Sequence, residues 1–189
     1  SSPGDVDHLI VAGGGGAGGM SYIPGAGAGA GGLLRGTAYR SVGTYPVAVG
    51  LGGLGSYGSV APVKGGNSTV FGLVAFGGGA SDEATDANRN GGSGAGRKAG
   101  VSADRGTGVP GQGFAGGGSL NGGGQGAAAG GGGAASVGLT PVVSVGGNGG
   151  AGINSSILGF SKGFAGGGVG ASNQATTTAS GSHGAPALG

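Results

Sequence analysis

Glycine in this chain gathers into tracks. Residues 13–19, 25–32, 77–79, 116–118, 122–133, 146–152 and 166–170 are glycine, or glycine with alanine and an occasional other residue, and glycine is 60 of 189 residues in all. An α-helix is closed to such tracks, because glycine costs about 1 kcal/mol relative to alanine at each helical position. Collagen is closed as well. It needs glycine at every third position with abundant proline, whereas Gly13 to Gly16 are consecutive and the chain has seven prolines. The default reading of so much glycine is a flexible linker. Bulky landmarks between the tracks argue instead for order. Ordering a residue costs roughly 1–2 kcal/mol, and glycine loses the most freedom. An ordered fold must therefore supply dense backbone contacts.

Short β-like segments separate the tracks. Residues 5–12 (DVDHLIVA) are apolar with β-branched residues and stop at a glycine run, which predicts a strand. Residues 32–37 and 44–50 are two further strand candidates, Pro46 favouring an edge or a strand start in the second. Residues 68–76 (STVFGLVAF) predict a hairpin pivoting near Gly72, and residues 142–145 and 155–158 are late, short candidates. No window carries the 3.6-residue period with caps, so almost no helix is expected.

An ordered glycine track can be a rod of the polyproline-II type, with three residues per turn and no internal hydrogen bonds. Its N–H and C=O groups point outward. Without Cβ atoms, neighbouring rods can approach, bond to each other and add Cα–H···O contacts. This is the polyglycine-II arrangement, with alanines such as those of residues 25–30 expected on its outer rows. The tracks recur at irregular spacing, so no fixed-period solenoid is expected.

Composition removes several function classes. Cysteine is absent, which excludes a disulfide scaffold. Eight Lys and Arg against six Asp and Glu leave no basic surface for phosphate neutralisation, so nucleic acid is not an expected partner. No apolar run approaches 18 residues, so no membrane insertion is expected. The start Ser1-Ser2-Pro3-Gly4 has no initiator Met and neither the basic region nor the apolar core of a signal peptide, and reads as a processed product or a piece of something longer.

The landmarks between the tracks carry a resemblance. In order they are residues 10–16 (IVAGGGG), 32–34, 45–50 (YPVAVG), 65–72 (GGNSTVFG), 111–117 (GQGFAGG), 149–152 ahead of Ser155-Ser156-Ile157, and 164–168 (FAGGG). Over about residues 5–170 this order resembles the glycine-rich domain of bacteriophage tail-fibre and other tail proteins. A related module occurs in the extracellular region of anaplastic lymphoma kinase receptors, and the tail-fibre-tip adhesins of T-even-like phages share packed polyglycine-II rods. Family members commonly close with an apolar strand. Residues 184–189 (GAPALG) hold none, so a partner or residues outside this chain would supply it, or it is lost.

Motifs for chemistry are thin. Gly13-x-Gly15-x-x-Gly18 matches the dinucleotide fingerprint in form, but residues 20–25 read as a turn where that fingerprint needs a helix. His8 and His183 have no partners at metal spacing, and Asp5 and Asp7 share one side of the first strand, facing solvent. No serine is singled out for a triad. Asn67-Ser68-Thr69 and Asn154-Ser155-Ser156 are formal glycosylation sites that read better as turns into strands. Residues 81–105 concentrate the charge: Asp82, Glu83, Asp86, Arg89, Arg97, Lys98, Asp104 and Arg105. Such a segment is either a solvated loop that keeps the domain soluble or a recognition loop on a rigid scaffold. Tyr22 and Tyr57 fall in turns between tracks, where tyrosine offers large contact area at low entropy cost.

The expectation is one all-β domain over 1–189: a first strand over 1–12, polyglycine-II tracks with β-hairpins over 13–170, and a polar tail over 171–189. Its fold would combine a small β-sandwich with a packed bundle of polyglycine-II rods. No enzyme activity, cofactor or metal is expected. The resemblance implies an extracellular virion module at the tip of a phage tail fibre, bound to other virion subunits and displaying loops to a bacterial surface protein or glycan. Tyr22, Tyr57, Asp82, Glu83, Asp86, Arg89, Arg97, Lys98 and Arg105 are the candidate contact residues. An architectural virion element, in a capsid decoration or fibre shaft, is the first alternative, and a receptor ectodomain module the second. The missing cysteines weigh against the latter. Homo-oligomerisation stays open.

Overall fold

The computed structural model describes residues 2–19, 23–58, 60–81, 86–100, 104–118 and 126–173. Its regular elements are short: β1 (Gly4–Val11), β2 (Gly18–Gly19), β3 (Leu33–Arg40), β4 (Ser56–Tyr57), β5 (Ser68–Val70), β6 (Leu73–Ala75), the single turn α1 (Asp86–Arg89), β7 (Ile153–Ser155) and β8 (Lys162–Phe164). They form four separate two-stranded ladders: β1–β3, β5–β6 and β7–β8 antiparallel, β2–β4 parallel. The fold is β-rich and almost without helix among the described residues. It is not a sandwich, because no ladder reaches the width of a sheet.

The first strand and the hairpin fall where the sequence predicts them. β5 and β6 turn at Phe71-Gly72, both left-handed (φ 58° and 76°), the conformation a two-residue hairpin turn requires. Three strand expectations fail. Residues 44–50 contribute only the bridge Ala48–Thr69 to a ladder, and residues 142–145 form a tight turn closed by Val142 and Val145, with Ser144 left-handed. Ser155 ends β7, and a turn follows from Ser156 to Gly159.

The glycine tracks make the body of the molecule, and their hydrogen bonds repeat every three residues. Gly27 and Ala30 donate to Ala129 and Gly132; Gly29 and Gly32 donate to Gly79 and Phe76. Gly13 and Gly16 donate to Gly66 and Val63, and Gly53 and Ser56 to Gly14 and Ala17. A step of three is the turn of an extended threefold rod. Bonded groups three residues apart therefore return to the same neighbour, while those between them address other tracks. Track 25–32 takes bonds to or from tracks 12–16, 76–79, 93–96, 129–132 and 168–171, all at 2.7–3.0 Å. It is the centre of the bundle.

That centre corrects one expectation. Ala26, Ala28 and Ala30 are buried in the middle track and do not lie on an outer row. Alternate glycines there carry the close approach: a Cβ on Gly27, Gly29 or Gly31 would overlap the carbonyl oxygen of Gly168, Ser93 or Ala12. The alanine methyls fill the remaining space. A side-chain core hardly exists. Among the described residues the largest side chains with essentially no exposure are Ser81 and Ser93, and the apolar cluster is Ile10, Ala12 and Ala75 with Leu34, Val70 and Leu73 against it.

Side chains appear where a track meets a strand and the three-residue bonding must change. Gln112 is the clearest case. Its Oε1 accepts from the Phe76 N–H and its Nε2 donates to the Val74 carbonyl, both at 2.9 Å, so its amide stands in for a peptide group beside β6. Asn67 Oδ1 accepts from the Gly77 N–H at 2.9 Å, and Ser68 Oγ donates to the Val11 carbonyl at 2.8 Å. Asn67 and Ser68 thus lead a glycine track directly into β5, and Asn154 lies within β7, so neither position forms the expected turn.

Gly29→Ala and Gly131→Ala each drive a methyl into a neighbouring carbonyl, of Ser93 and Ala28. Each should cost at least about 3 kcal/mol in guanidinium unfolding, the upper range for overpacking. At Gly14 and Gly52 the nearest atom is 3.8 and 4.0 Å away. Alanine there should leave stability within about 0.5 kcal/mol or raise it. Equal losses at all four positions would defeat the packed-track account. Gln112→Ala leaves the Phe76 N–H and Val74 carbonyl without partners and should cost about 2–6 kcal/mol, at 1–3 kcal/mol per buried orphan.

Candidate functional site

The hydrogen-bond register gives every track a direction. Track 25–32 runs parallel to 129–132 and antiparallel to 12–16, 76–79, 93–96 and 168–171. The chain therefore shuttles between two ends. At one, which we term the ribbon end, sit β1–β3, the β5–β6 and β7–β8 hairpins and the turn 109–112, where Gln112 and Gly113 donate to Val109.

The opposite, or loop, end gathers a second set of connections. Gly58 donates to Gly19, Gly18 to Ser81 Oγ, Ala171 to Gly25, Asn173 to Gly126 and Arg97 to Gly117. The described residues on either side of segments 20–22, 82–85, 101–103 and 119–125 thus lie together at one end.

Several candidate residues belong to this end. Tyr57 closes β4 and is 72% exposed; Arg105 is exposed, its N–H bonded to Asp104 Oδ1 at 2.8 Å. Asp86 opens α1, and Arg97 is half-buried. Tyr22, Asp82 and Glu83 lie outside the described residues.

Two of the charges are not on a surface loop. Arg89 is 4% and Lys98 8% exposed. The segment they flank is a track inside the bundle, with residues 91–96 all buried. The Arg89 carbonyl accepts from the Ala95 N–H at 2.9 Å, and Gly79 and Gly106 both lack the Cβ that would strike it. The expected charged loop over 81–105 is therefore two stretches at the loop end around one interior track. The buried glycines 91, 92, 94 and 96 are the signal that marks this in the sequence.

One flank is apolar. Leu51, Leu54 and Tyr57 recur every third residue and are exposed, while Gly50 and Gly53, each just before a leucine, abut the Gly66 and Val63 carbonyls. Val47, Val49, Val60 and Val63 extend this surface, and no charged residue occurs from 41 to 63. At the ribbon end sits a cluster the sequence reading passed over, in which Arg40, Tyr45 and His8 surround the Phe71 ring. Its signal in the sequence is Phe71 beside Gly72 at the pivot of the hairpin.

The first glycine track explains the dinucleotide-like motif. Gly13 and Gly15 donate to Gly66 and Gly29 of neighbouring tracks, and no helix follows among the described residues. Among those residues no three His, Cys, Asp or Glu side chains group as metal ligands, and no helix is long and apolar enough to cross a membrane.

A family model for the glycine-rich domain matches residues 1–189. The chain belongs to the glycine-rich domain family. The match spans the residues of the ribbons, the tracks and the loop end alike. Neither a curated protein nor a solved structure matches it.

Tyr57→Ala should change unfolding free energy by less than about 0.5 kcal/mol, as an exposed side chain does. Arg89→Ala removes a buried, partnered side chain and should cost more than about 2 kcal/mol. Thermal and guanidinium unfolding of the two variants checks the division of the charged segment.

Proposed function

We propose that this glycine-rich domain is a rigid display module of a phage virion, at the tip of a tail fibre, whose loop end recognises a bacterial surface protein or glycan. The tracks are read here as a bundle of polyglycine-II rods. The observation that carries the proposal is the convergence of the flanks of segments 20–22, 82–85, 101–103 and 119–125 at one end of a hydrogen-bonded bundle. Binding residues sit by preference on loops held by a rigid scaffold. The bundle supplies rigidity without needing the connections to pack, so their sequences can change with the receptor. The phage setting rests on the resemblance of the landmark order.

Tyr57, Arg105 and the Asp82-Glu83 pair are the residues to alter. The purified domain, fluorescently labelled, should bind host cells saturably. Tyr57→Ser with Arg105→Ala, or Asp82 and Glu83 both changed to Ser, should weaken that binding at least tenfold with the melting temperature unchanged. Gly52→Ala should leave it intact. Unaltered cell binding in the stable loop-end variants would refute recognition through this end.

The apolar flank favours a second reading, an architectural element that binds only other virion subunits. Exposed apolar side chains gathered in one stretch of chain, as in residues 47–63, suit a protein interface. Changing Leu51 and Leu54 to Ser should then block virion incorporation without affecting binding of the isolated domain to cells.

A further inference from the structure

Phe71 has a conformation that its side chain disfavours. At φ 58° a bulky aromatic is strained where glycine would not be, and such strain gathers at ligand-binding positions. The ring it holds in place is the hub of a cluster at the ribbon end. The Arg40 guanidinium lies over it at 4.5 Å from the centroid. Tyr45 and His8 meet it edge-on at 5.2 and 6.1 Å. Tyr45 is itself held, its hydroxyl donating to the Ser41 carbonyl at 2.9 Å.

Two side-chain nitrogens here are buried without a hydrogen-bond partner among the described residues. One is Nε of Arg40, whose guanidinium lies over Phe71; the other is Nδ1 of His8, which packs against the same Phe71 ring. Native interiors leave few such groups, and each calls for an explanation.

Two clefts meet at this cluster. One, of about 470 Å³, is mainly apolar, with Pro46, Val70 and Leu73 beside Arg40, Tyr45 and Phe71. The other, of about 300 Å³, shares those last three residues and adds Ser2, Asp5 and Ser41. Their sizes fall in the range of small-molecule sites.

We propose that the joined clefts bind an acidic sugar. A guanidinium offers forked donors that meet both oxygens of a carboxylate in charge-assisted bonds, and the Phe71 ring holds that of Arg40 beside both clefts. The apolar wall of Pro46, Val70 and Phe71 takes the C–H face of a pyranose. The Asp5 carboxylate and the Ser41 and Tyr45 hydroxyls take its hydroxyl groups. Arg40 distinguishes an acidic from a neutral sugar, and the remaining groups distinguish a sugar from a bare anion. This site lies at the opposite end from the proposed recognition loops and does not depend on that reading.

The test is an NMR titration of the full 189-residue chain with D-glucuronate, D-glucose and inorganic phosphate. Glucuronate should give saturable shifts of the Arg40 Nε–H and the Phe71 and Tyr45 ring protons. Glucose and phosphate should each bind at least tenfold more weakly. Arg40→Gln should weaken glucuronate at least tenfold, and Arg40→Lys, which keeps charge but loses the fork, by several-fold. Absence of saturation, equal binding of glucose or phosphate, or a folded Arg40→Gln variant that binds like the parent overturns the proposal. Should Arg40→Gln fail to fold, the shift map of the unaltered protein decides: glucuronate shifts centred away from Arg40, Tyr45 and Phe71 overturn it too.

Discussion

The fold depends on one interaction, the hydrogen bond between peptide groups of neighbouring tracks at a separation only glycine allows. Most proteins hold elements apart by two layers of side chains and let those side chains do the packing. Here the Cα atoms of Gly27, Gly29 and Gly31 lie against the carbonyls of three other tracks. The three-residue bonding sends successive peptide groups to different neighbours. Cohesion is therefore lateral in several directions at once, unlike a sheet, whose bonds lie in a plane. This is why no wide sheet is needed and why Ser81 and Ser93 are the largest fully buried side chains described.

A lattice of this kind cannot extend into the ordinary β-ribbons without adaptors. Gln112, Asn67 and Ser68 serve that purpose. Each offers a side-chain group where the next track's peptide would have been. The ribbons then carry the modest apolar cluster around Ile10 and Ala75. The two ends consequently differ in chemistry: one is built of β-ribbons with aromatic and apolar side chains, the other of connections bounded by glycine tracks.

Much of this was legible in the sequence, and the failures are instructive. The first strand and the Phe71-Gly72 hairpin could be read because alternating β-branched residues end at glycine. The tracks could be read as rods because helix and collagen were closed to them. The sandwich expectation failed because apolar residues near 44–50 looked like strand alternation, whereas the neighbouring Leu51, Leu54 and Tyr57 obey the period of three. The interior place of the Gly-Ala track could not be read at all. It depends on which neighbours surround residues 25–32, and that is decided by pairings more than 40 residues distant, such as Gly29 with Gly79 and Gly27 with Ala129. Charge density misled at Arg89 and Lys98, because a glycine run between charged residues looks like a loop whether it lies outside or inside the bundle.

The near-absence of a side-chain core has a thermodynamic consequence. The heat capacity of unfolding is raised by exposing apolar surface and lowered by exposing polar surface. Unfolding this bundle exposes chiefly peptide groups and alanine methyls, while Val49, Leu51 and Leu54 are already solvated in the native state. The heat-capacity increment per residue must therefore fall below the usual value of about 12–15 cal/mol/K. The free-energy curve of such a protein is flat, losing little on cooling and declining slowly on warming, so that its stability varies less with temperature than that of an apolar core of equal size.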